Sequence, residues 1–217
     1  STNVGTLKDI KTRFIIPVEL NAILYWNAKI IAEFYGYAKN DTKKNEYELI
    51  ANEILTAVNE VLWDDEVGAW LDYDLINNKL RPYFSPTNLA PLWTNCFEPS
   101  KREHIASKIL AYIEKLKLDD YPGGVPNSLY NTGEQWDWPN VWAPMQYLMI
   151  FGLENLQDSN ASSLAHRWAQ RWVQSNYVAF ENTGAMYEKY IATEFGAMGG
   201  KLKKVLKVLR KLNCKCF

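Results

Sequence analysis

Gln135, Trp136, Asp137 and Trp142 stand within one short stretch and carry side chains suited to binding carbohydrate. The face of an indole ring stacks on the C–H face of a pyranose, and amides and carboxylates hydrogen-bond to its hydroxyls. The preceding residues, 122–133, are rich in glycine and proline, which predicts a loop. A loop that presents an amide, a carboxylate and indoles beside an apolar helix favours a sugar-binding site.

The same side chains also have a purely structural interpretation. Most tryptophans are packing residues, so Trp136, Trp138 and Trp142 could belong to a core. Asp137 could cap the helix that apolar spacing predicts from Asn140 onward. On composition alone this structural interpretation is favoured.

Helices dominate the elements that must position these residues. Apolar side chains recur at helical spacing in six segments, residues 15–39, 42–63, 88–97, 100–118, 140–155 and 160–179. The first two are expected to pair as an antiparallel helical hairpin across a short polar turn. Alternation over residues 67–84 predicts a short β-hairpin or a pair of extended arms. Repeated helical hairpins joined by long polar loops predict an all-α, (α/α) toroid.

The charge distribution argues against a nucleic-acid partner. The net charge is −1, but residues 201–217 carry seven basic and no acidic side chains, which leaves residues 1–200 at −8. Such an acidic body is unfavourable for nucleic-acid binding. No apolar run is long enough to span a bilayer.

Cysteine and histidine content excludes other kinds of site. Cys96 stands alone, and Cys214 and Cys216 lie in the basic tail, so neither a disulfide framework nor a metal-ligand spacing is present. His104 and His166 have no accompanying cysteine or serine-plus-acid pattern that would indicate nucleophilic catalysis.

Several segments resemble trehalases, glycoside hydrolases that split α,α-trehalose into two glucose molecules. Residues 135–144, QWDWPNVWAP, are similar to a signature of that family, and Val141 stands where many trehalases have glycine, which indicates an insect-like form. Residues 12–22, 62–74 and 184–190 are similar to three further family segments. The resemblance covers about residues 5–200, nearly the whole chain.

The resemblance implies a partial (α/α) toroid over residues 1–200, followed by a divergent basic tail at 201–217. It implies inverting hydrolysis of trehalose without cofactor or metal, with no nucleic-acid partner. Contact with a membrane is expected only through the parent protein or the tail. The parent enzyme is expected to be secreted or anchored outside the cell, and the acceptor triplets for glycosylation at Asn40 and Asn160 fit that location.

The resemblance also suggests roles for individual residues. Trp136 and Trp142 are expected to stack on the sugar or form the pocket wall. Gln135, Asp137 and Asn21 are expected to hydrogen-bond to the substrate or support the site. Glu188 is expected to be a supporting carboxylate, or else a structural partner of a basic side chain.

Inverting glycosidases need an acid and a base, roughly 6.5–9.5 Å apart. In the family the acid is an aspartate upstream of the position that matches Thr12, and the base is a glutamate after a run of glycines. Here the chain begins after the first of these segments, and Lys201 follows the glycines. The resemblance therefore predicts that this chain is truncated at both ends and holds no catalytic carboxylate.

Two other interpretations stay open. The chain could be a non-catalytic carbohydrate-binding or regulatory form, tethered by its amphipathic basic tail, although a change of reading frame explains that tail more simply. It could also be a different toroid glycosidase, whose acid and base come from Asp72, Asp74, Glu134 and Asp137.

Overall fold

The computed structural model describes residues 10–199, and most of them are helical. Its α-helices are α1 (Val18–Tyr37), α2 (Asp41–Ala57), α3 (Ala90–Thr94), α4 (Arg102–Lys115), α5 (Ala143–Asn155) and α6 (Ser159–Thr183). Its strands are β1 (Ile15–Ile16), β2 (Trp63–Asp64), β3 (Ala69–Trp70), β4 (Tyr73–Asp74), β5 (Lys79–Leu80), β6 (Asn140–Trp142) and β7 (Lys189–Ile191). The predicted helical class is confirmed, and the basic tail at 201–217 lies outside the described residues.

Two helical hairpins and a short connecting helix form the body of the fold. α1 packs along α2, α5 packs along α6, and α3 contacts both α1 and α5. The oxygen of the Asn40 side chain accepts from Lys43 N at 3.1 Å and so begins α2. Asp158 caps α6 in the same way, accepting from the backbone N–H groups of Asn160 and Ala161.

The strands are more numerous than the short hairpin or pair of extended arms that the sequence predicted. There are two hairpins of two-residue strands, β2–β3 and β4–β5, and β1 adds to β4 to complete a three-stranded sheet. Asp64 accepts from the backbone N–H groups of Glu66 and Val67, and Asp74 accepts from those of Ile76 and Asn77. Each aspartate therefore organises its own turn, so the segment folds back twice.

The helix of the signature segment begins later than predicted. Residues Asn140–Trp142 are extended and pair with Lys189–Ile191, and α5 starts only at Ala143. Pairing with a distant strand takes precedence here over helical apolar spacing. The interpretation of Asp137 as the cap of this helix is wrong, because Trp142 occupies the cap position.

One large apolar core joins the helices, and a smaller one lies under β6 and β7. The large core includes side chains from α1, α3, α4, α5, α6 and β3, and Ile54 and Leu55 of α2 pack against it. Among its buried members are Val18, Val58, Leu62, Trp70, Leu92, Ile109, Met149, Leu153 and Leu164. The small core consists of Val141, Ala179, Ala185, Tyr187, Tyr190 and Ala192. The small core holds the signature segment against the end of α6.

Candidate functional site

The loop before the signature segment is fastened to α5 by one buried glutamine. Gln146, which is 2% exposed, accepts a hydrogen bond from Val125 N at 3.0 Å and donates to Val125 O at 2.8 Å. Gly124 adopts φ +115°, and a Cβ at this position would lie 3.0 Å from Gln146 Oε1. Glycine is therefore required where the loop approaches the amide.

Strand pairing brings together two segments that are far apart in the sequence. Val141 pairs with Tyr190 and Trp142 with Lys189 across β6 and β7. Ala192 N donates to Pro139 O at 2.8 Å, which extends this contact into the loop. The segments at 135–144 and 184–190, both singled out by resemblance, are thus neighbours in the fold.

Asp137 forms hydrogen bonds to other residues of the same loop. It is 4% exposed, and its Oδ1 accepts from Ser128 Oγ at 2.8 Å while its Oδ2 accepts from the hydroxyl of Thr132. Ser128 Oγ in turn accepts from Trp138 N at 3.2 Å. Asp137 therefore has a structural role in the loop, and its contact with a substrate stays a prediction.

The two indoles of the signature segment form a parallel stack. The rings of Trp136 and Trp142 lie 4.0 Å apart with an interplanar angle of 8°. Trp142 is only 5% exposed and donates from Nε1 to Gln135 O at 2.9 Å, whereas Trp136 is 48% exposed. Trp142 therefore supports one face of Trp136 and holds its ring in a fixed orientation.

Trp136 lies on the wall of a cavity of about 250 Å³. The wall contains aromatic, amide, hydroxyl and charged side chains: Asp72, Arg81, Tyr83, Phe84, Ser85, Asn88, Asn127, Ser128, Tyr130, Trp136 and Asp137. An exposed aromatic ring beside convergent polar groups can stack on a ligand ring and hydrogen-bond to polar groups at its edge.

Asp72 and Arg81, which carry opposite charges, also lie on the cavity wall, although they precede the loop by about fifty residues in the sequence. Asp72 Oδ1 accepts from Val18 N at 3.0 Å, and its Oδ2 lies 3.8 Å from a guanidinium nitrogen of Arg81. The Arg81 guanidinium also lies 5.6 Å from the ring centre of Tyr83. Burial raises the pKa of Glu19, next to Val18, and the charge of Asp72 acts in the same direction.

Four of the predicted site residues do not line this cavity. Trp142 is buried behind Trp136. Gln135 is exposed and uses its backbone oxygen to accept from Trp142. Asn21 lies on α1 and donates from Nδ2 to Pro17 O at 2.8 Å. Glu188 is exposed beside β7. Their roles in binding stay predictions.

Several cavity residues were not predicted as site residues. Asn127 and Ser128 stand in the loop itself, where their amide and hydroxyl groups were a usable signal. Arg81 and Tyr83 gave none, because only the β4–β5 hairpin carries them to the cavity. Asp72 entered only as one of four candidate acids, and of those Asp74 and Glu134 are not on the wall.

Within residues 10–199 no three His, Cys, Asp or Glu side chains are grouped so that they could hold a metal ion. In that range no helix combines the length and apolarity needed to cross a membrane.

The family model described as trehalase matches residues 1–208. The chain belongs to the trehalase family. The trehalase of Apis mellifera is 49% identical over 199 residues, which are 92% of this chain and 32% of the relative. The human trehalase is 40% identical over 198 residues, or 91% of this chain and 33% of that protein.

Solved structures of toroid enzymes have a similar fold. The neutral trehalase of Saccharomyces cerevisiae superimposes with a TM-score of 0.69 at 22% identity, covering 85% of this chain and 36% of that one. A GH63 mannosylglycerate hydrolase of Thermus thermophilus, solved with glucose, gives 0.66 at 19% identity over 86% of this chain and 44% of its own. The chain therefore has an (α/α)-toroid fold, and it spans about a third of the length of its curated trehalase relatives.

Proposed function

We propose that this chain is part of a glycoside hydrolase that acts on α,α-trehalose, and that residues 10–199 supply part of its sugar-binding wall. One observation carries the proposal. Trp136 is held in a fixed orientation by Trp142 at the edge of a cavity whose other side chains, apart from Phe84, carry hydrogen-bonding groups. Membership of a family whose members are named trehalases supports trehalose as the sugar.

The chemistry is proposed to be inverting hydrolysis. It needs one carboxylic acid to protonate the glycosidic oxygen and one carboxylate to activate water on the opposite face. We propose that these 217 residues do not perform it alone, because the positions that the family resemblance assigns to the acid and the base have no counterpart in them. Trp136, with Gln135, Asp137, Trp142 and Asn21, is proposed to bind sugar, and Glu188 to support the site.

Titration calorimetry of the 217-residue chain with trehalose tests the binding role. Trp136→Ala is expected to weaken binding by about five- to thirtyfold, which corresponds to about 1–2 kcal/mol for a lost stacking surface. Trp26→Ala is the matched control, because Trp26 is also partly exposed, at 38%, and contacts another indole outside the cavity. Equal affinity in all three proteins, or an equal loss in both variants, would remove the support for the site.

A second candidate function is favoured by the presence of Asp72 and Asp137 on the same cavity wall. These two acids could form a catalytic pair of a different toroid glycosidase. Glucose release from trehalose, followed over a range of pH, separates the candidates. We expect no release above that of a chain carrying Asp72→Asn. Release by the unmodified chain that disappears in this variant would establish the second candidate.

We further propose that the intact protein is secreted or anchored outside the cell. Asn40 and Asn160, which begin acceptor triplets, are both exposed, and one relative is named a periplasmic trehalase, at 33% identity. Division into a toroid at 1–200 and a separate basic tail at 201–217 also remains a proposal. Expression in a secretory host should yield chains whose mass falls after enzymatic removal of N-glycans.

A further inference from the structure

One buried amide on the cavity wall lacks the hydrogen bond that its surroundings require. Asn127 is 7% exposed and lines the cavity. Its Oδ1 is shielded from solvent and accepts no hydrogen bond from any group within residues 10–199. Buried polar atoms in native proteins nearly always have partners, so an orphaned one needs an explanation.

A second asparagine on the same wall provides the comparison. Asn88 Oδ1 accepts from Ser85 N at 2.9 Å, and its Nδ2 donates to Tyr83 O at 3.3 Å. Its side-chain oxygen completes a capping box that begins a helical turn, and its side-chain nitrogen is bonded to the preceding chain. Asn88 therefore has a structural role, whereas nothing in the described fold uses the side-chain oxygen of Asn127.

The backbone holds Asn127 firmly in this position. Its own N–H donates to Asn140 O at 3.0 Å, and its neighbours Val125 and Ser128 are bonded to Gln146 and Asp137. The amide is therefore presented to the cavity by a fixed loop, as binding groups are when a site is organised before its ligand arrives.

We propose that the Asn127 carboxamide is a specificity-determining group that hydrogen-bonds to a ring hydroxyl of the sugar stacked on Trp136. This inference rests on the proposed function of the cavity. The hydroxyls of a pyranose project from the edge of its ring, so a ring lying on Trp136 directs them towards the surrounding wall. A carboxamide offers one acceptor and two donors, and rotation about its Cβ–Cγ bond exchanges them, so it can match a hydroxyl in either role.

A change at Asn127 is expected to affect the stability of the protein and its affinity for sugar differently. Asn127→Ala removes an oxygen that accepts no hydrogen bond within residues 10–199, so the melting temperature without sugar is expected to stay the same or rise. Affinity for trehalose is expected to fall about three- to tenfold, as for the loss of one hydrogen bond to a neutral group. A residue with a merely structural role would lower both quantities.

The experiment measures thermal unfolding and calorimetric binding on the full 217-residue chain. Asn127→Ala is accompanied by Asn127→Leu, which retains the side-chain volume, and by Asn45→Ala, an exposed change on α2. Trehaloses lacking one hydroxyl each are used as further probes. We expect one of them to bind the unmodified chain more weakly than trehalose does, and to bind Asn127→Ala with the same affinity as trehalose.

The outcomes distinguish this inference from the function beneath it. If the unmodified chain does not bind trehalose, the proposed function and the inference both fail. If it binds and both Asn127 variants bind equally well, only the inference fails. If both variants lose stability and affinity together, Asn127 is structural and the inference is overturned.

Discussion

Replacing Gln146 by leucine tests whether one side chain holds the cavity loop. In the structure this amide makes two hydrogen bonds to Val125, a residue that is itself almost completely buried. Leucine has a similar volume but cannot bond, and water has no access to Val125. Two buried backbone groups would therefore lose their partners, at about 1–3 kcal/mol each. Partial relaxation of the loop reduces the sum, and we expect a loss of about 3 kcal/mol.

Such a loss is a large fraction of the free energy of unfolding of a typical domain, about 5–15 kcal/mol. Urea titration followed by tryptophan fluorescence and by circular dichroism measures it, and agreement of the two signals tests for a single transition. Gln170→Leu is the matched control, because Gln170 is exposed on α6. A loss below about 0.5 kcal/mol, or one equal to that of the control, would refute the role assigned to Gln146.

Three further results are expected. Gly123→Ala should destabilise the chain by about 1–3 kcal/mol in a urea titration, because its Cβ would overlap the carbonyl oxygen of Ile191. Gly36→Ala is the control and should not destabilise the chain, because its Cβ would make only an ordinary van der Waals contact. Burial raises the pKa of Glu19, so ionisation of this carboxyl opposes folding once the pH is above the ordinary pKa of a glutamate. Glu19→Gln should therefore raise the urea midpoint at pH 7, and this increase in the midpoint should vanish below about pH 4. Burial raises the pKa of Cys96 to about 12, so iodoacetamide at pH 8 should leave Cys96 unmodified until urea is added, as peptide mass mapping would reveal.

Much of the helical architecture could be predicted because it depends on local periodicity. The spacing of apolar residues located α1, α2, α4 and α6 to within a few residues, and the polar turn before α2 predicted their hairpin. The error at residues 140–142 has a clear cause. These residues have helical apolar spacing, but their backbone groups pair with β7, about fifty positions later in the chain.

The candidate site was predictable only in part. Trp136 and Asp137 stood out by residue type, and the structure brings both to the cavity. The support that Trp142 gives to Trp136 requires a strand followed by a helix start, which spacing alone did not indicate. The residue type of Asn127 was visible in the sequence, but no sequence pattern expresses that its side-chain oxygen accepts no hydrogen bond within residues 10–199.

The amino-acid sequence by itself determined the helical class, the family, and the stretch that carries the indoles, because residue type and short-range spacing encode these properties. The tertiary structure alone decided which polar groups face Trp136. Arg81 and Asp72 reach the cavity through hairpin pairing, and Asn127 through a loop anchored by Gln146. The physical reason is that contacts between distant segments depend on chain reversals and burial, which are properties of the whole fold.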